Sequence, residues 1–82
     1  MATTLADIRK AERKRIMFDD MFRMADRIHK QAEGKYLAYC KMMGYELDEN
    51  GSTIELIEDD EILNGLIGLM GNAALIMDWT YQ

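Results

Sequence analysis

Residues 62–77 read Ile62-Leu63-Asn64-Gly65-Leu66-Ile67-Gly68-Leu69-Met70-Gly71-Asn72-Ala73-Ala74-Leu75-Ile76-Met77, apolar or small at nearly every position. A helix with no polar face has to be covered on several sides. The run has two asparagines and acid on both flanks, and it is short for a bilayer span, which needs about 20 residues. A protein environment is therefore expected and no membrane. Gly65, Gly68 and Gly71 drift slowly round this helix, each costing about 1 kcal/mol of helix propensity, and close approach of another backbone is the natural compensation. Asp59 or Asp60 supplies the N-cap, so the helix is placed at about 60–81.

Working back toward the N-terminus, the chain contains no proline. Thr4 followed by Asp7 forms a capping box with the shorter acid. Apolar or small residues then recur in steps of three and four at Leu5, Ile8, Ala11, Phe18, Phe22, Ala25, Ala32, Tyr36, Tyr39 and Met43, interrupted by Arg15 and His29. The register survives Gly34, and no capping residue follows it, so one helix over 4–43 is predicted, with a bend at Gly34 left open and Gly44 as its C-terminal cap. Met17, Met21, Met24 and Ile28 widen the stripe, while Asp19–Arg23 and Asp26–Lys30 provide acid-before-base pairs on the wet side.

Between the helices the period changes. Asn50-Gly51 suits a two-residue type I′ turn that sets Leu47 opposite Ile54 and Tyr45 opposite Leu56, a small β-hairpin over 45–56. The competing reading takes Ser52 and Glu55 as a capping box and leaves 45–51 as loop. The architecture is thus a mainly α single domain, 1–82, built as an antiparallel helical hairpin. Its first helix is roughly 60 Å long against roughly 33 Å for the second. That mismatch leaves Leu5, Ile8 and Ile16 without an internal partner while the second helix has apolar surface to spare. A homo-oligomeric helical bundle follows, with Leu5, Ile8, Ile16, Gly65, Gly68, Gly71 and Trp79 as its expected interface.

Composition supports that expectation. A chain of 82 residues buries only about 60% of its unfolded surface and needs disulfides, metals or subunits to gain stability. Cys40 is the only cysteine and His29 the only histidine, which leaves neither a disulfide nor a zinc cluster, so no cofactor or metal is expected. Cys40 reads as a small buried residue in a cytoplasmic protein, and His29 as a hydrogen-bonded interface histidine. The charge is divided: residues 1–41 hold ten cations against six acids, and residues 42–82 hold nine acids and no cation. Such a molecule is bipolar, and its ends can attract each other in trans.

Two charged clusters are candidate sites. Arg9, Lys10, Arg13, Lys14 and Arg15 form a cationic site for phosphate, nucleic acid or an acidic protein surface, with a solvated helix face as the plain alternative. Glu46, Asp48, Glu49, Glu55, Glu58, Asp59, Asp60 and Glu61 form an acidic surface able to imitate a phosphate backbone, though capping and solubility explain most of it. The methionines read either as an adaptable docking groove or as core filling, and Trp79 with Tyr81 as aromatic anchors of the helix end. Neither a phosphate-cradling loop nor a nucleophile elbow is present, so no catalytic residue is assigned and no enzyme is expected. In style, without a shared motif, the chain resembles small phage proteins that block host machinery, which implies a host-cell cytoplasm. Three functions follow as expectations. One is an oligomer that inhibits or adapts a macromolecular partner, another captures a small anion such as a nucleotide at a basic subunit junction, and the last is a nucleic-acid-binding or assembly module.

Overall fold

The computed structural model describes residues 4–80, so Tyr81, the expected last residue of the second helix, lies outside it. Two helices pack against each other, α1 (Leu5–Met43) and α2 (Glu61–Thr80). The N-terminus of α1 is closed by Thr4, whose hydroxyl accepts the Asp7 N–H at 3.2 Å while the Asp7 carboxylate accepts the Thr4 N–H at 3.3 Å. The helix runs unbroken through Gly34 and ends at Gly44, where φ of +76° lets the chain turn away. Asp60 rather than Asp59 caps α2, accepting the Leu63 N–H at 3.0 Å.

The helices run in opposite senses. Tyr39 near the end of α1 bonds Asp60 at the start of α2, and Phe18 meets Trp79 near its end. The seam follows steps of three and four: Phe22, Ala25, His29, Ala32, Tyr36 and Tyr39 on α1, and Leu63, Leu66, Met70, Ala73, Met77 and Thr80 on α2, all buried or half-buried. Tyr36, Cys40 and Leu63 form its densest part, with Tyr45, Leu47 and Ile57 of the linker folded onto them. Among the described residues six are buried: Ala25, Ala32, Tyr36, Cys40, Leu63 and Ala73. Four of them are alanine or cysteine, so the core is thin.

The linker departs from expectation. Among the described residues there is no strand, only a single antiparallel bridge between Leu47 and Thr53. The type I′ turn at Asn50-Gly51 does not form, and the pairing of Leu47 with Ile54 and of Tyr45 with Leu56 is displaced by one residue. Asp48 is the cause. Its Oδ1 accepts the N–H groups of Asn50 and Ser52 at 2.9 and 3.0 Å, and its carbonyl accepts the Gly51 N–H, so the turn starts at Asp48 and Gly51 takes the positive φ. A one-residue shift exchanges the faces. Ile54 and Leu56 therefore lie exposed, while Tyr45, Leu47 and Ile57 face the helices. The rival helix start at Ser52 is not adopted either, since α2 begins at Glu61.

α2 leaves about the first third of α1, residues 5–17, uncovered, and the shape shows it. The molecule measures 61 × 22 × 19 Å with a radius of gyration of 18.4 Å, against ~12 Å for a compact domain of this length. Its accessible surface is 7060 Å², where a compact monomer of its mass has about 5,000 Å².

Candidate functional site

The projecting arm of α1, residues 5–17, carries all five cations of the basic cluster, every one exposed. Helical geometry divides them. At 100° per residue Arg9, Lys10, Arg13 and Lys14 share ~140° of arc, and Arg15 stands ~100° beyond Lys14. Arg15 therefore continues the line of the seam past the last turn of α2. There it borders, with Lys14, a hollow of about 830 Å³ also lined by Ala11, Phe18, Asp19, Phe22, Trp79 and Thr80. Phe18 and Trp79 meet edge to face, with ring centroids 5.3 Å apart at 76°. Cations and aromatic faces thus share one opening at the end of the hairpin. Among the described residues the ion pairs Asp19–Arg23 and Asp26–Lys30, each at 3.1 Å, and the contact of His29 with Glu33 at 3.7 Å all lie within α1, and none takes a cation of the arm.

The acidic residues are not one surface. Asp48 is committed to the turn, and Asp60 is committed three times over. Its carboxylate accepts the hydroxyl of Tyr45 at 2.7 Å and of Tyr39 at 2.8 Å as well as the Leu63 N–H. Those bonds hold its pKa below the ordinary 3.8, Tyr45 contributing most and Leu63 next. Donating to the same carboxylate pushes Tyr45 up to about 12 and raises Tyr39. Tyr36 is raised chiefly by burial, and its hydroxyl donates to the Gly51 carbonyl at 2.7 Å. This tyrosine group ties α1, the linker and α2 together and was not foreseen, although Tyr36, Tyr39 and Tyr45 at one end of an acidic linker were a readable signal. Glu46, Glu49, Glu55, Glu58, Asp59 and Glu61 remain exposed.

The expected interface residues do not converge. Ile8 continues the seam line, Leu5 and Ile16 fall on the side of the Asp19–Arg23 pair, and Trp79 lies on the opposite side. A Cβ built on Gly65, Gly68 or Gly71 meets nothing within 4 Å, so no part of the same chain uses the space those glycines leave.

What the structure does assemble is a second apolar stripe, one residue behind the seam on both helices. Met17, Met24 and Ile28 on α1 and Leu69, Ile76 and Trp79 on α2 are all exposed. In an antiparallel pair, residues that precede the seam on both helices emerge on the same side, so these six form one continuous face. The linker covers the other side, where Asn50 and Ser52 border a cleft with Glu33, Leu37 and Ile67. Met17 and Met24 thus stand outside the core of the chain. The sequence carried this signal as a 3–4 period offset by one residue from the main stripe. Cys40 is buried and its thiol free. Among the described residues no group of His, Cys, Asp or Glu is arranged as a metal site. α2 has 20 residues, longer than the apolar run alone suggested, so by length and composition alone it is long and apolar enough to cross a membrane, a test that the core helix of a soluble protein also passes. Comparison with protein families, curated proteins and solved structures finds no match for this chain.

Proposed function

We propose that this protein is a non-enzymatic, self-assembling binding module that inhibits or adapts a macromolecular partner. Oligomerisation completes its core, and the arm of α1 presents a cationic surface to the partner. The surplus of roughly 2,000 Å² over a compact monomer carries the reading, because so thin a core leaves stability to come from other subunits. The arm supports the second half: Arg9, Lys10, Arg13 and Lys14 share one sector, and none of the ion pairs among the described residues takes any of them. An acidic protein surface is the partner of matching chemistry.

The first test is mass. Light scattering after size exclusion is expected to give a multiple of 9.5 kDa, two or more, and a compact single chain at high concentration would refute the proposal. The second test is capture. Wild-type protein and a variant with Arg9, Lys10, Arg13 and Lys14 changed to serine are used as baits, and the same retained proteins on both would remove the arm from the site.

A second reading, capture of a small aromatic anion such as a nucleotide, is favoured by the hollow where Lys14 and Arg15 border Phe18 and Trp79. Thermal stability should then rise with nucleotide concentration, and a flat response across a nucleotide panel removes this reading.

A further inference from the structure

We infer that the exposed face formed by Met17, Met24 and Ile28 of α1 with Leu69, Ile76 and Trp79 of α2 is covered by the same face of a second copy, across a two-fold axis perpendicular to the long axis of the hairpin. The inference rests on the self-assembly proposed above and adds which surface is used and how the copies are turned.

Three observations select the occupant. The first is the face itself: all six side chains lie between 38% and 60% exposed and run in two parallel stripes along the hairpin, the form of surface that packs against another helix pair as a four-helix bundle. The second is area. If each copy buries half of its surplus, the contact removes roughly 2,000 Å² in total, where obligate homodimers begin. The third is charge. The stripe of α1 runs outward from Met17 into Lys14 and Lys10 on the arm, while at the opposite end, where the same stripe reaches Lys35, the chain beyond Ile62 carries Glu61, Asp59 and Glu58 and leaves a surplus of acid. With a perpendicular axis the lysine end of one copy lies over the acidic end of the other. An axis parallel to the hairpin would set lysine against lysine and acid against acid, which is unfavourable. An isologous contact of this kind closes after two copies.

The test uses the full chain in a Cys40→Ala background, which removes the thiol without burying a hydroxyl in the core. Leu69→Glu, at an exposed position, is expected to halve the mass seen by light scattering while helicity by circular dichroism is kept. Leu75→Glu, on the outer face of α2, should leave the mass unchanged. Met24→Glu replaces Leu69→Glu if the latter fails to fold. For the axis, Met17→Cys and Met42→Cys proteins are mixed and oxidised: a covalent mixed dimer between the two is expected, with little linkage of Met17→Cys to itself.

An oligomer that survives both Leu69→Glu and Met24→Glu would overturn the face while leaving self-assembly standing, and preferential self-linkage of Met17→Cys would overturn the axis. A wild-type chain that stays monomeric removes self-assembly and this inference together. A monomer that co-sediments with phosphatidylcholine vesicles through the same six residues would show that a bilayer covers the face, which also overturns the inference.

Discussion

Leu63→Ala is the most informative single test of how the hairpin is held. Leu63 is 1% exposed and sits against Tyr36 and Cys40, with Leu66, Met70 and linker residues packed round it. Truncating a fully buried leucine costs the transfer of the lost carbons plus the cavity left behind, about 2.7–5 kcal/mol in well-enclosed cores. Here Tyr39, Tyr45, Leu47, Leu66 and Met70 are only partly buried and can relax into the gap. The expected cost is therefore near the lower end, about 3 kcal/mol. The whole fold of 82 residues is worth roughly 4–12 kcal/mol, and the thin core places it toward the smaller value. One substitution thus removes a large part of the stability. Thermal denaturation should show a fall of ~12–24 °C, at 4–8 °C per kcal/mol for a domain this small. The control is Leu75→Ala, at a residue 67% exposed and off the proposed face, where a change within about 0.5 kcal/mol is expected. A Leu63→Ala protein that melts within ~4 °C of wild type would refute the assignment of the core to the Tyr36, Cys40 and Leu63 cluster.

The remaining predictions concern the latch, the glycines and the turn. Asp60 titrates below 3.8 in the folded chain, so the stability from its bonds is complete above about pH 5 and is lost as pH falls through the folded-state value. Tyr45 is raised from 10.0 to about 12, so its contribution is complete below pH 10 and is lost as pH climbs from 10 through 12. Melting temperature measured from pH 2 to 12 should fall at both ends, and Asp60→Asn should flatten both limbs; unchanged limbs would show that the latch does not contribute. Gly34→Ala, in an unbroken helix where the new methyl meets nothing within 4 Å, should stabilise by about 1 kcal/mol, and a lower midpoint in urea would mean that another subunit lies against that position. Gly44→Ala should cost about 1–2 kcal/mol because its φ of +76° strains any side chain. Asp48→Ala frees the N–H groups of Asn50 and Ser52 and should speed amide exchange at both, while α1 and α2 keep their protection.

The helices were legible because their signals are local and consistent. Thr4 with Asp7, Gly44 and Asp60 are end signals whose chemistry works through bonds to backbone groups a few residues away, and the 3–4 spacing continued through Gly34 because one glycine costs less than a second helix end would. The linker was misread at one residue. Asn50-Gly51 is a strong hairpin signal, but Asp48 competes for the same backbone N–H groups and prevails, because its carboxylate accepts from Asn50 and Ser52 together. Choosing between these turns from sequence requires weighing Asp48 against Asn50, two residues apart, and the alternation of apolar residues fits either register nearly as well. The basic cluster was legible as composition but not as geometry: adjacency in sequence suggested five cations in one patch, whereas rotation about the helix sends Arg15 toward the hollow by Trp79 and leaves four on another sector.

The two stripes differ in the kind of side chain they carry, and the difference bears on how the molecule is put together. Inside the hairpin both helices mix small and large residues, Ala25 and Ala32 with Phe22, Tyr36 and Tyr39 on α1, and Ala73 with Leu63, Leu66, Met70 and Met77 on α2. The register set by Tyr39–Asp60 and Phe18–Trp79 brings Ala25 level with Ala73, where the axes can approach most closely. Such a seam has few alternative packings, because there is little room to fill in a second way. On the outer stripe α1 instead presents Met17 and Met24, long and unbranched, opposite Ile76 and Trp79. Methionine adapts to irregular neighbours at small cost, so this face can accept a surface it has not been shaped against in one fixed way, whereas the inner seam cannot. A chain built like this should form its hairpin first, from contacts that the Tyr39–Asp60 and Tyr45–Asp60 bonds keep in register, and associate afterwards through the softer face. The order has a measurable consequence: dilution should lower the melting temperature if the folded hairpin is stabilised by association, and Leu69→Glu should abolish that concentration dependence while Leu63→Ala lowers the melting temperature at every concentration.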